Sequence, residues 1–159
     1  MKEFYQAVTE ILAANTGAGQ ELDGVTILKN EFAGMTPSCV AVRRLSETTI
    51  GQNGNYKQVE GVIELNALVQ IDKRTSAAAY RETQEVAAEE LANKVEKVLL
   101  PDGKLASTSF ANGMTSHPEM TIIRNRAFGE HQHQDGEFVF VRMELVARYV
   151  YRDMVLSLK

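Results

Sequence analysis

A single cysteine, Cys39, stands in the 159-residue chain. That excludes an intrachain disulfide and leaves a cysteine-based zinc site without its ligands. Cys39 opens the apolar run Cys39-Val40-Ala41-Val42 and reads as a small buried hydrophobe rather than a reactive thiol. Long hydrophobic runs are equally absent: nowhere do about eighteen apolar residues follow one another, so no membrane-spanning helix is expected. The start, MKEFYQAVTEILAANTG, carries Glu3 and Glu10 and lacks the apolar core of a signal peptide. The expectation is a mature chain that begins at or near Met1 and stays in the cytoplasm. Basic residues do not predominate either. Seventeen Lys and Arg stand against twenty-one Asp and Glu, a net charge of −4, which argues against a protein whose affinity rests on neutralising phosphates. Internal repeats, low-complexity segments and linkers are missing, so one domain over residues 1–159 is the economical reading.

Catalytic signatures are also lacking. Gly17-Ala18-Gly19 follows a helix pattern rather than a strand, so it lacks the strand-turn-helix setting of a phosphate-cradling loop. Asp102-Gly103-Lys104 is a turn, no Gly-x-Ser-x-Gly stands anywhere, and Arg43-Arg44 and Lys73-Arg74 are too few for a basic groove. The sharpest chemical candidate is the segment from Glu130 to Asp135. In extended chain, residues i and i+2 point the same way, so His131 and His133 could hold one metal with Asp135 or Glu137 as third ligand. Two histidines in a glycine-flanked polar hairpin also read simply as solvated loop residues, and His117 beside Pro118 reads as a turn residue. The site expectation is therefore no catalytic residue, no bound metal and no cofactor. The alternative is a small metal-dependent enzyme built on His131, His133 and Asp135.

What the chain does contain is a long alternating segment that runs straight into a helical one. Val59, Gly61, Ile63, Leu65, Ala67, Val69 and Ile71 share one face, and Glu60, Glu64, Asn66, Gln70 and Asp72 mainly the other. At about 3.3 Å per residue, the fourteen residues 59–72 span roughly 46 Å. The radius of gyration of such a globule is only about 15 Å, so one end of the strand is expected to pass beyond its own core. From about Ser76 to Leu100, Ala77, Tyr80, Ala87, Ala88, Leu91, Val95, Val98 and Leu99 form one helical stripe, and Glu82, Glu85, Glu89 and Glu96 an acidic ridge opposite. Pro101 ends the helix.

The remaining elements follow the same logic. An amphipathic helix is expected over residues 3–15, capped near Asn15-Thr16-Gly17, then a short strand at 25–28 and a strand from Cys39 to about Leu45. Residues 46–58, 106–117 and 128–137 read as polar loops that partners would order. Strands are expected around 120–126 and over 138–152. The last presents Arg142, Arg148 and Arg152 on its outer face, opposite in sign to that of residues 59–72, so pairing the two would set opposite charges side by side. The expected fold class is α+β: a mainly antiparallel sheet with an N-terminal helix and a long central helix packed on one face.

This order and polarity of elements resembles the tail terminator, or tail-completion, proteins of tailed bacteriophages over nearly the whole chain, through architecture rather than a diagnostic motif. The resemblance implies one tail-terminator-like α+β domain. It implies a structural protein that forms a hexameric ring at the head-proximal end of the tail tube, ends tube polymerisation and offers a surface to the head or neck. The implied partners are further copies of the chain, the tail tube protein and a neck or head-completion protein. DNA would pass through without sequence-specific binding, and no membrane is involved. The implied location is the tail or neck of the virion, with assembly in the host cytoplasm. Other phage neck or tail assembly proteins share this outline. The acidic ridge reads first as a solvated helix face, and the alternative that goes with the ring is that it faces the channel or its rim.

Overall fold

The computed structural model describes residues 2–29, 34–71, 77–106, 120–134 and 136–152. Five strands form one sheet in the order β1-β2-β3-β5-β4. They are β1 (Thr26–Lys29), β2 (Ser38–Asn53), β3 (Tyr56–Gln70), β4 (Met120–His133) and β5 (Gly136–Arg152). Two helices, α1 (Lys2–Ala13) and α2 (Ala77–Leu99), complete the described elements. The class is α+β.

The expected mainly antiparallel sheet carrying a long central helix packed on one face is corrected in two respects. First, the sheet is mixed: β1 runs parallel to β2, with Thr26 opposite Cys39 and Lys29 opposite Val42, while the other three pairings are antiparallel. Second, the helices are the minor component. At about 1.5 Å per residue α2 is roughly 34 Å long, against roughly 50 Å for β3. Moreover, α2 is not packed along its length. Ala88, Leu91, Ala92, Val95, Val98 and Leu99 are buried, whereas Glu82, Thr83, Glu85 and Val86 are exposed. The physical reason is where the apolar stripe runs out: Thr83 and Gln84 interrupt it, and only the second half has enough apolar surface to seat. The side chains of Ala77 and Tyr80 lie outside the described residues.

Alternation along β3 and β5 sends Val59, Ile63, Leu65, Ala67 and Val69 and, opposite them, Tyr149, Leu145, Met143, Val141 and Val139 toward the helices. Phe4, Val8, Ile11 and Leu12 of α1 close that core. Helix α1 then ends on side-chain caps, for Asn15 Nδ2 donates to the Ile11 carbonyl at 2.8 Å and Thr16 Oγ1 to that of Ala13 at 2.8 Å. A smaller apolar cluster of Cys39, Ala41, Leu68 and Phe138, with Leu28 and Met35, lies on the other side of the sheet. Cys39 is fully buried.

Two of the three expected loops are instead strand hairpins. Residues 46–53 continue β2 and 56–58 begin β3, joined by Gly54 and Asn55 alone, with Asn53 opposite Tyr56. Gly54 takes φ 61°, and a glycine at the first central position suits the tight turns that match strand twist. Likewise 128–133 belongs to β4 and turns into β5 at Gly136, whose φ is 137°. Of the third segment, residues 107–117 lie outside the described residues.

Candidate functional site

Beyond Val42 the second strand leaves the core. From Arg43 to Thr49 every residue of β2 is exposed, and β1 borders only Cys39 to Val42, so beyond Val42 β2 is an edge strand of the sheet. The β2–β3 hairpin thus forms an arm that shows Leu45, Ile50 and Tyr56 to solvent. At the other side of the sheet, β4 is the second edge strand. It carries Ile122 and Phe128 exposed and is interrupted between Arg124 and Ala127, where Asn125 adopts φ 55°. Bulges of this kind twist an edge and limit pairing with stray chains.

The sheet face away from the helices carries a charged row across four strands: Arg43 opposite Glu64, Glu64 opposite Glu144, and Glu144 opposite Arg124. Two carboxylates meet at its centre, a destabilising arrangement unless each is compensated. Glu64, buried to 4% side-chain exposure, accepts from Arg43 Nε at 2.8 Å and pairs with Arg142 Nε at 2.7 Å. Glu144 pairs with Arg124 at 3.5 Å and accepts from Asn125 Nδ2 at 2.8 Å. Glu60 and Arg148, 3.2 Å apart, extend the pattern. The opposite outer-face charges of residues 59–72 and 138–152 therefore do meet, within one chain. Such a face is self-neutralising rather than a phosphate-binding track.

His131 and His133 lie on β4 with ring centroids 6.0 Å apart. Asp135 and His117 lie outside the described residues. Among the described residues no group of three or more His, Cys, Asp or Glu is placed to hold a metal ion, so the geometry brings together two of the proposed ligands and no third. The acidic ridge is also not one surface. Glu96 accepts from Arg126 at 2.6 Å and ties α2 to β4, leaving Glu82, Glu85 and Glu89 exposed. Cys39 is no nucleophile: burial pushes its thiol up to about 11. Burial also raises the Tyr5 phenol, with the Arg44 guanidinium over its ring opposing the shift.

Reading the sequence missed a groove between α2 and the β4–β5 part of the sheet. Glu85 and Ala88 form one wall, Phe128 and Glu130 another, with Val139 and Val141 beneath. Its one sequence signal is Phe128, apolar in an otherwise polar hairpin. No helix among the described residues is long and apolar enough to cross a membrane.

No protein-family model matches the chain, and no curated protein does. Among solved structures the chain is similar to one from the "Virion of native gene transfer agent (GTA) particle". The TM-score is 0.54 at 11% identity, over 92% of this chain and 93% of that one. At such identity the likeness is one of fold.

Proposed function

We propose that the chain is a structural subunit of a phage-like virion that closes into a ring at the head-proximal end of the tail tube, stops tube polymerisation and presents the surface to which head or neck attaches. The observation that carries this reading is the end-to-end fold likeness to a chain of a gene transfer agent virion, which spans more than nine-tenths of both chains. Two further features support it. The arm and the β4 edge offer different surfaces on opposite sides of one sheet, and unlike surfaces that meet head to tail generate rings when the rotation closes. The sheet's outer face satisfies its own charges, which suits a subunit beside DNA that must slide rather than bind.

Deleting the coding sequence from a particle-producing strain tests the reading. The expected products are tail tubes of uncontrolled length and heads without tails, with wild-type morphology restored by supplying the chain in trans. Tails of uniform length joined to heads in the deletion strain would remove the proposal.

A further inference from the structure

The groove between the first half of α2 and β4 has the physical character of a docking site. Its cavity of about 260 Å³ falls below the roughly 300–1,000 Å³ of sites for drug-sized ligands and suits one large side chain. The walls are apolar through Ala88, Phe128, Val139 and Val141. Phe128 and Val86, at 62% and 50% exposure, are the most exposed large apolar side chains among the described residues. Phe128 stands at the mouth of the groove, and Val86 lines a shallower hollow along the same helix. Carboxylates rim both, Glu85 and Glu130 at the groove and Glu82 and Glu90 at the hollow, and among the described residues no Lys or Arg lines either. An apolar socket with carboxylates at its rim selects against acidic neighbours and favours a cationic one. A second copy of this chain brings a net charge of −4 of its own.

We propose that this groove docks a cationic segment of a different protein, one that sets a large apolar side chain between lysines or arginines. The apolar side chain fills the cavity against Phe128 and Val141, and the flanking cations lie against Glu82 and Glu85. Buried anchors of this kind carry most of the affinity of a short segment, and the surrounding charges fix register and speed association. The proposal stands apart from the assignment as a tail ring and does not require it.

The chain contains no tryptophan, so Phe128→Trp places a unique fluorophore at the groove. The probe is a hexapeptide with leucine and phenylalanine between two pairs of lysines. Saturable binding with a blue shift of the emission is expected, weakened about tenfold when Glu82→Lys and Glu85→Lys are added. It should also weaken as salt rises, because exposed charges are screened. Replacing leucine and phenylalanine of the peptide by alanine should abolish it. With the wild-type chain, the same peptide should shift the amide resonances of Glu85, Gly129 and Val141, which frees the result from the substitution. Equal binding of the alanine peptide or of a glutamate-flanked peptide overturns the proposal, as does no response at about millimolar peptide. A blue shift that grows with protein concentration in the absence of peptide also overturns it, since a second copy would then be the occupant.

Discussion

At the residue scale, Gly61 is a core position with little room. A Cβ there would lie 3.0 Å from Tyr149 Oη and 3.1 Å from Phe4 Cδ2, in the packed layer between β3, β5 and α1. The tilted Phe4–Tyr149 ring pair, 5.5 Å between centroids, occupies the space that a larger residue would need. Gly61→Val should cost about 1–3 kcal/mol through overpacking, measured by urea denaturation. Gly51→Ala, where the nearest contact is the Gln58 side chain at 3.6 Å, should change stability by less than about 0.5 kcal/mol. In the sequence Gly61 was readable as a core-face residue, but not as one that its neighbours require to be small. That fact belongs to Phe4 and Tyr149, far away in the chain.

Cys39 supplies the pH dependence. The fold holds the thiol at about 11 against the usual 9.0, so it favours the protonated form. Its contribution is then fully present below about 9 and is lost as the pH rises toward about 11. Wild type should therefore lose its advantage over Cys39→Ala across that window, and a difference in unfolding free energy that stays constant from pH 8 to pH 11 would contradict the burial argument.

At the scale of elements, α2 is two helices in energetic terms. Leu91→Ala should cost about 2–5 kcal/mol because it opens a cavity in the core. Val86→Ala, at an exposed site, should stay within about 0.5 kcal/mol. Hydrogen exchange should likewise be faster at Thr83 to Ala87 than at Leu91 to Leu99, since local opening follows buried contact. The places where the sequence misleads have one cause. Alternation reveals a strand only when one face is buried, and β2 beyond Arg43 and β4 near Glu130 have little burial on either face. Their polar residues therefore read as loop, although Gly54-Asn55 and Gly136 mark hairpin turns. The parallel register of β1 on β2 was not legible, since four residues carry no sign of the direction of their neighbour. By contrast β3, β5 and the seated half of α2 were clear, because each buries a periodic apolar face against the same core.

At the scale of the whole molecule, the proposed ring would draw its contacts from the arm and the second edge strand. The groove beside Phe128 was beyond the reach of sequence because its walls come from α2, β4 and β5, which only the fold brings together. If the chain closes into a sixfold ring, six copies of 17.6 kDa give about 106 kDa. Shortening the arm by replacing residues 50–58 with Asn-Gly should leave the core folded, since Thr49 and Val59 are partners in register and the buried residues of β3 begin at Val59, and should abolish that assembly in native mass measurements. A ring that persists with the arm removed would show that the contacts lie elsewhere. Cryo-microscopy of the intact particle, with this chain located in the map, tests the ring most directly. Six copies in a closed ring at the head-proximal end of the tail tube are expected, and a single copy there, or none in the particle, would contradict the proposal.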